Sequence, residues 1–460
     1  MNIKIRLTIM SFFQFFVWAA WLITIGNYWF GTKQWAGADF GIIFSTMGIS
    51  SLFMPTITGI IADKWLNAEK LYAILHILYA GAMFYLPQVN DPHTFFWIIL
   101  IAMCFYMPTI ALSNSISYTT LKSGGLDVVK DFPPIRVWGT IGFIVAMWIT
   151  NLTGNKASVN QFYIAGISAL ALGIYSFSLP KCPPQRTSEK KSFVQKIGLE
   201  AFKLFGTYKM AVFFIFSMFL GGALQLTNAY GDVFIDEFKM FPRYAESFVI
   251  KYSTIILSIS QISETLFILA IPFFLKRYGI KKVMVIAMVA WVFRFGLFAY
   301  GNPTGGLWMI ILSCIVYGMA FDFFNISGSL FVESSTTAKT RSSAQGLFMM
   351  MTNGFGAILG SLVSGWMIQK YFTTSFTAVQ PLANLVGADA KDSHLVQFLK
   401  NQGIEVLANG NLSKAIEVKN WHDIWLSFTI YALVITVLFV IFFKHKHTKA
   451  EAKVIEAITH

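Results

Sequence analysis

Charged residues are scarce in this chain of 460 residues, where Asp, Glu, Lys and Arg together make up 12%. Soluble globular proteins contain about 25% of these residues, because a surface in contact with water needs them. Hydrophobic residues make up 56% of the chain, so too few polar residues remain to cover a soluble fold of this size. The composition excludes a cytosolic enzyme, a disordered regulator and a secreted disulfide scaffold. It predicts an integral membrane protein.

Cysteine is also rare, and the three cysteines have no paired or metal-like spacing. Cys104, Cys182 and Cys314 therefore predict neither a disulfide framework nor a metal site, and we expect each to pack in the interior. The formal charge of +13 could indicate a nucleic-acid partner. That interpretation requires basic residues clustered among aromatics on a polar face. Here the basic residues lie between apolar runs, so we expect no nucleic acid as a partner.

Long apolar runs account for most of the chain. A membrane-spanning helix needs about 20 predominantly apolar residues. Twelve runs of about this size are present, near 7–29, 39–62, 70–88, 94–121, 136–152, 161–180, 208–231, 247–275, 283–301, 306–333, 342–370 and 422–443. They lack the ten-residue alternating pattern of membrane barrel strands. The first run is too long for a signal peptide and no small-residue cleavage site follows it. The sequence predicts an all-α membrane protein with twelve spans, numbered here in chain order.

Orientation follows from the basic residues, which are enriched in the cytoplasmic loops of membrane proteins. With both termini in the cytoplasm, the cytoplasmic segments carry 24 of the 35 Lys and Arg residues. The short outer loops then carry five, and the long 370–420 segment another five. We therefore expect a multi-pass protein of a bacterial inner membrane with both termini cytoplasmic.

A polar and basic segment divides the twelve spans into two sets of six. This segment, 181–206, is read as a cytoplasmic linker between an N-terminal bundle (1–180) and a C-terminal bundle (207–446). The C-terminal bundle contains an extracytoplasmic insertion at 371–420, and a cytoplasmic tail covers 447–460. Two equal halves joined in this way are typical of a duplicated transporter of the major facilitator superfamily.

A short loop motif supports this architecture. Gly59-Ile-Ile-Ala-Asp63-Lys64, after span 2, is similar to the G-x-x-x-D-[RK] loop of that superfamily. The corresponding segment 276–282 in the second half has basic residues but lacks the acid. We interpret Asp63 as a cytoplasmic gate contact that helps to fix the outward-facing state. The alternative is a solvated loop acid.

Polar residues inside the spans are the candidate functional residues, because an ionisable group in the membrane costs several kcal/mol unless it faces a cavity or a partner. Several of them share a helix face by i, i+3 or i, i+4 spacing. The set comprises Arg136, Thr140 and Phe143 in span 5, Gln225 and Asn228 in span 7, Gln261 and Glu264 in span 8, and Tyr317, Phe321 and Asp322 in span 10.

Together these side chains offer the chemistry of a proton-coupled carrier for a flat heterocycle. The aromatic rings could stack on the heterocycle, and the amides could bind its polar edge or the hydroxyls of a sugar. A carboxylate in a low dielectric can exchange a proton near neutral pH. Arg136 could pair with a carboxylate while that group is ionised. We therefore assign proton coupling to Asp322, Glu264 and Arg136.

Each candidate also has a structural alternative. Arg136 could anchor at the headgroups, and Thr140 could bond to its own helix. The three aromatic residues could be packing residues, and the three amides could join helices by hydrogen bonds. Glu264 and Asp322 could belong to a structural ion pair. We expect Arg294 and His76 to be structural, and the small residues Gly354, Gly356, Gly360 and Ser361 to permit close helix packing.

Four stretches of sequence carry a family resemblance. They are DFPPIRVWGTIGF at 131–143, SISQISETLFI at 258–268, AFDFFNISG at 320–328, and AQG at 344–346 followed by MTNGFG at 351–356. In this order they closely resemble the nucleoside:proton symporter family of the major facilitator superfamily. The similarity covers about residues 1–370 and 421–446. The segment 371–420 is longer than usual for the family and is read as a small folded cap, or alternatively as a disordered insertion.

The resemblance implies a bacterial inner-membrane importer of purine and pyrimidine nucleosides that uses the proton as its coupling ion. It also implies that the ten residues above form one central binding site between the halves. We expect the lipid bilayer and nucleosides as partners, no metal or other cofactor, and a monomer. The alternatives are a sugar symporter, an exporter, or a receptor without transport. No nucleophile–base pair or metal-ligand cluster appears in the spans, so we do not expect an enzyme.

Overall fold

The part of the chain that the structure describes is all-helical apart from one small sheet. The computed structural model describes residues 2–184, 199–244, 246–337 and 340–445. Most of the predicted linker and the whole predicted tail (447–460) lie outside the described residues. The face where Ile3 and Phe442 lie is called the terminal face here, and the opposite face is called the cap face.

The first half contains six long helices in the predicted order. Span 1 (Ile3–Leu22) continues into a π-helical segment, Asn27–Lys33. The other five are span 2 (Gly37–Lys64), span 3 (Ala68–Tyr85), span 4 (Pro92–Ser123), span 5 (Val128–Leu152) and span 6 (Asn160–Ser176).

The second half repeats this number of crossings. Span 7 is Tyr208–Glu237, and spans 8 and 9 are the two arms of one long helix, Ser253–Tyr300. Gly279 divides these arms at a backbone φ of 73°, which glycine adopts without a steric penalty. Span 10 is Leu307–Ser335 and span 12 is Trp421–Phe442. Span 11 runs through Arg341–Met349, a π-helical turn at Met350–Gly356 and Ala357–Tyr371.

The twelve crossings agree with the apolar pattern of the sequence. Ten helices of the described residues are long and apolar enough to cross a membrane by length and composition. One of them, Ser253–Tyr300, supplies two crossings. The twelfth crossing is span 6, which has 17 residues and is therefore slightly short for this criterion.

Small residues allow the spans to approach closely, as expected for helices that pack in a membrane. A side chain on Gly360 would collide with the backbone of Gly222, and one on Gly356 would lie 3.1 Å from Gly221. These contacts join span 11 to span 7. The prediction that the small residues of span 11 serve close packing is therefore confirmed for Gly356 and Gly360.

The segment between spans 11 and 12 folds into a small cap, defined here as residues 373–419. Strands β1 (Thr373–Ala378) and β2 (Asn411–Lys419) pair antiparallel, with Thr373 opposite Lys419. Two short helices, Val379–Val386 and Ser393–Asn401, lie between the strands. Leu382, Leu395 and Leu399 are fully buried in their shared core. The cap is thus an ordered unit with its own apolar core, and the disordered alternative does not describe it.

The two halves contact each other towards the cap face. Span 2 crosses span 11 where Gly41 faces Gly365, and Trp148 of span 5 donates a 2.8 Å hydrogen bond to Ser258 of span 8. Among the described residues, every hydrogen bond between the halves lies on the cap-face side of the molecule, and none lies near the terminal face. The structure is therefore closed at the cap face.

Candidate functional site

The ten candidate residues lie at mid-depth on four spans. Glu264 lies well inside the helix that begins at Ser253, and Asp322 and Gln225 lie near the middle of spans 10 and 7. At a rise of about 1.5 Å per residue, these three positions are about 16–26 Å from the starts of their helices. Span 8 packs on span 10 at Gly318, where an added side chain would overlap the backbone of Ser263. The candidate residues of spans 8 and 10 are therefore close together.

The two carboxyl groups face one guanidinium group without a direct ion pair. The side chain of Asp322 is buried, and its Oδ2 has no hydrogen-bond partner among the described residues. Arg136 attracts both Glu264 and Asp322 electrostatically, although no pair of their charged atoms lies within 4.0 Å in the described structure. Arg136 itself packs on Phe15, with 4.0 Å between the guanidinium carbon and the ring centre. The structure therefore contradicts a tight structural ion pair as the role of these acids.

Two aromatic rings form a parallel pair beside these acids. The rings of Tyr317 and Phe321 have centres 5.9 Å apart and an interplanar angle of 1°. Their i, i+4 spacing on span 10 places them on one helix face. Trp291 contacts Tyr317 edge-on at 5.9 Å, and Phe143 contacts Trp18 edge-on at 6.3 Å. Such flat faces can stack on an aromatic base.

The polar side chains of the set have unused hydrogen-bonding capacity. The side-chain oxygens of Gln225 and Gln261 are buried and have no partner within the described ranges. Within the described residues, the Thr140 hydroxyl makes no hydrogen bond to its own helix. The Thr352 hydroxyl of span 11, by contrast, donates one to the Phe348 carbonyl oxygen. Buried polar groups are normally satisfied, so these groups are expected to bind a polar ligand. The described structure contains no hydrogen bond by which the three amides join helices or by which Thr140 bonds to its own helix.

Arg294 and His76 are held by structural contacts, as predicted. Arg294 is fully buried and donates a 2.9 Å hydrogen bond to the Ser313 carbonyl oxygen. Its guanidinium carbon lies 4.4 Å from the centre of the Tyr317 ring, so it supports that ring from behind. His76 is also fully buried and contacts the Tyr72 carbonyl oxygen at 3.0 Å through Nδ1. Its role in packing is consistent with this environment.

Asp63 lies at the end of span 2 near the terminal face. Its side chain is exposed and forms no hydrogen bond or ion pair with any other described residue. A contact that fixes a closed terminal face would be broken when that face is open. The gate role of Asp63 therefore stays a prediction.

No metal site or disulfide accompanies these residues. The described ranges contain no group of three or more His, Cys, Asp or Glu side chains that could hold a metal ion. The three cysteines are free; Cys182 and Cys314 are buried and Cys104 is partly buried.

A polar lock at the cap face was not predicted from the sequence. Asp232 is fully buried and accepts hydrogen bonds from Asn27, at 2.5 Å, and from Thr254, at 3.1 Å. Asp236 forms ion pairs with Lys156, at 2.6 Å, and with Lys239, at 2.5 Å. Asn27 and Lys156 belong to the first half and the others to the second, so the Asn27–Asp232 and Lys156–Asp236 contacts join the halves. This set is called the cap-face lock here.

The apolar pattern predicts that span 7 ends near 231 and leaves the lock outside it, whereas the helix continues to Glu237. The available signal was the i, i+4 spacing of Asp232 and Asp236, which places both carboxylates on one helix face. Lys156 lies in the loop between spans 5 and 6. Burial opposes its charged form, but Asp236 and Asp232 more than offset this effect and raise the pKa of Lys156.

Replacing Lys156 by Met is expected to open the cap face. The change removes a hydrogen bond to a charged group, worth about 1.5–3 kcal/mol, and leaves Asp232 and Asp236 close together with one cation fewer. The open population should rise about tenfold or more. Spin labels at Leu152 and Phe248, in a background without the native cysteines, would report longer distances by electron–electron double resonance.

The matched control for this prediction is Lys251→Met, which removes an exposed lysine from the same face. Asn151 donates to the backbone oxygen of Lys251, so the control keeps that contact between the halves. An unchanged distance distribution in the Lys156 variant would contradict the assignment of the lock.

Comparison with known proteins identifies the family. The family model for the nucleoside H+ symporters matches residues 1–448. The chain is 46% identical to the xanthosine permease of Escherichia coli K12 over 461 residues, covering 100% of both proteins. It is also 46% identical to the nucleoside permease NupG of the same organism, covering 98% of each.

Solved structures agree with this assignment. The crystal structure of the nucleoside transporter NupG is similar at a TM-score of 0.82 and 45% identity, covering 97% of this chain and 100% of that chain. The crystal structure of a NupG mutant has a TM-score of 0.84 and covers 96% and 100%. A bacterial homologue of the lysosomal transporter Spinster, at 12% identity and a TM-score of 0.63, shows the same fold.

The predicted all-α fold of the major facilitator superfamily is confirmed by these structures. The relatives are permeases, so the chain is a membrane transporter and not an enzyme, as predicted. The roles of the ten site residues are not tested by this similarity and stay predictions. On the match across residues 1–448, the chain belongs to the nucleoside H+ symporter family.

Proposed function

We propose that this protein imports nucleosides together with protons by alternating access, with the substrate bound centrally between the halves. The observation that carries the proposal is Asp322, a buried carboxyl group with an unpartnered oxygen directly beside the parallel rings of Tyr317 and Phe321. An ionisable group at mid-depth in a membrane is a functional candidate by default. Its position beside an aromatic platform links proton binding to substrate binding.

The platform and the amides together fit a nucleoside. A base stacks on Phe321 and Tyr317, while Gln225, Asn228 and Gln261 supply donors and acceptors for the base edge and the ribose hydroxyls. We assign Thr140 and Phe143, both on span 5, to the same site. The names of the relatives, a xanthosine permease and a nucleoside permease, support this class of substrate. Both purine and pyrimidine nucleosides are expected to bind.

Coupling follows from the electrostatics of the two acids. Protonation of Asp322 or Glu264 removes a buried negative charge, which favours closure of the loaded site. The halves then rock and expose the site at the other face. Release of the proton restores the carboxylate, which Arg136 attracts. No cofactor other than the proton is required for this cycle.

The proposal includes the orientation of the protein in the membrane. We propose that the protein lies in a bacterial inner membrane with both termini in the cytoplasm, and the bias of basic residues supports this orientation. The terminal face is then cytoplasmic, and the structure, which is closed at the cap face, represents an inward-facing state. Asp63 is proposed to make its gate contact when that face closes. We propose a monomer as the transporting unit, because each chain contains both halves of the site.

Replacing Phe321 by Ala is expected to weaken nucleoside binding about tenfold. Loss of stacking on one aromatic side chain costs about 1–3 kcal/mol for a nucleic-acid base. Titration of the purified protein with uridine by calorimetry measures the change directly. The control is Phe273→Ala, which removes an aromatic ring that is 59% exposed on the outside of span 8. Equal affinities of the Phe321 variant and the wild-type protein would refute the stacking role.

A further inference from the structure

A cavity lies beneath the cap, away from the ten central residues. Its volume is about 300 Å³, at the lower end of the range of about 300–1,000 Å³ for small-molecule sites. Three parts of the chain enclose it: the end of span 1 with its following turn, the end of span 7, and the cap. This cavity is called the vestibule here.

One wall of the vestibule is aromatic and held in place from behind. Phe30 and Trp35 line it from the end of span 1. Trp35 packs edge-on against Trp29, with ring centres 4.7 Å apart, and against Phe95 at 5.3 Å. The ammonium group of Lys419 lies 3.9 Å from the centre of the Phe30 ring. Lys419 covers one face of Phe30, so Trp35 is the supported ring on which a flat ligand can stack.

The turn that carries Trp35 is fixed by the cap. Gln34 donates a 2.6 Å hydrogen bond to the Gln402 backbone oxygen and accepts one from Lys414 at 2.7 Å. Its backbone φ is 51°, the only positive value for a non-glycine residue in the described ranges. A non-glycine residue keeps this conformation only when its surroundings hold it. The cap thus shapes the vestibule wall on the first half.

The charged groups of the vestibule balance one another. Asp236, Glu237 and Glu417 face Lys239, Lys414 and Lys419. Lys239 is paired with Asp236, and Lys419 with Glu237, each at 2.5 Å. Glu417 accepts a hydrogen bond from Gln369 at 3.0 Å. A site with balanced, partnered charges favours a neutral polar ligand over an ion, because an ion would have to displace an existing partner.

We propose that the vestibule is a second binding site for a neutral nucleoside, occupied before the substrate reaches the central site. The inference rests on the proposed import function. Asn27 and Asp236 of the cap-face lock also line the vestibule. Ribose hydroxyls that hydrogen-bond to these residues compete with their contacts across the halves. Substrate bound in the vestibule therefore weakens the cap-face lock, which closes the route from the vestibule to the central site.

Photo-cross-linking of the purified full-length protein with 4-thiouridine tests the inference. Near-ultraviolet irradiation followed by peptide mapping reports label at the central site and at the vestibule separately. We expect label on peptides from 27–36 or 398–419 as well as on span 10, and displacement of both by excess uridine. Trp35→Ala should lower the vestibule label at least fivefold and leave the span 10 label unchanged.

A second variant fills the vestibule without disturbing a buried position. Ala415 lines the vestibule from β2 and is exposed, so Ala415→Trp should also lower the vestibule label at least fivefold. The matched control is Thr374→Trp, at an exposed position of β1 that does not line the vestibule. The control should retain the label.

The outcomes separate the two proposals. Label on span 10 with none on the vestibule peptides, or vestibule label that uridine does not displace, would overturn this inference alone. Vestibule label that survives in both Trp35→Ala and Ala415→Trp would also overturn it. Uridine-displaceable label on neither site would refute the import function and this inference together.

Discussion

The Asp322→Asn variant is expected to lose uphill accumulation of nucleoside while it keeps downhill movement and binding. Asparagine has nearly the same shape as aspartate but cannot gain or lose a proton near neutral pH. One proton that moves down one pH unit can drive at most about a tenfold accumulation, because one unit corresponds to about 1.4 kcal/mol. The ratio of internal to external nucleoside should fall from this level to about one. Uptake of labelled uridine into vesicles with an imposed gradient measures it.

Two further variants are needed to interpret the result for Asp322→Asn. Asp389→Asn, at an exposed position of the cap, makes the same chemical change away from the membrane and should accumulate uridine normally. Glu264→Gln shows whether the second acid is also required. Normal accumulation by the Asp322 variant would remove Asp322 from the coupling mechanism.

The Gly41→Val variant is expected to lose most of its transport activity because the cap face can no longer close. A side chain at Gly41 would overlap the Ser361 carbonyl oxygen and lie 2.9 Å from the Gly365 Cα atom, both in the opposite half. Overpacking of this kind costs about 1–3 kcal/mol. The rate of uridine uptake should therefore fall about 5- to 100-fold at equal amounts of folded protein.

The control for this variant makes the same change where space is available. A side chain at Gly81 of span 3 would meet no atom within 4 Å, so Gly81→Val should transport at the wild-type rate. Thermal unfolding of both variants distinguishes a blocked cycle from a misfolded protein. Wild-type uptake by Gly41→Val would show that the contact of spans 2 and 11 does not need to form.

Much of the fold was predictable because membrane spans depend on local composition. The apolar runs located all twelve crossings, and the helical period placed Tyr317 and Phe321 on one face, where they form the observed parallel pair. The predicted end of span 7 near 231 is wrong, because its helix continues to Glu237 and buries Asp232 and Asp236. Their burial depends on partners from the other half of the chain, Lys156 above all.

Long-range packing also explains the other features that the sequence left open. The cap could be read as folded or disordered, because its short apolar runs become a core only when Leu382 and Leu395 meet. The vestibule was not predicted at all. Its lining comes from 27–36, 233–240 and 375–419, and no local pattern reports that these segments meet.

The measurement that tests the central proposal most directly is uptake of labelled uridine into proteoliposomes that contain the purified protein, with and without an inward proton gradient. Accumulation that depends on the gradient and is abolished by a protonophore is the predicted result. Equilibration without accumulation would leave nucleoside recognition in place and contradict the coupling role of the central carboxyl groups. No uptake by the folded protein would contradict nucleoside import itself and turn attention to sugars or to export.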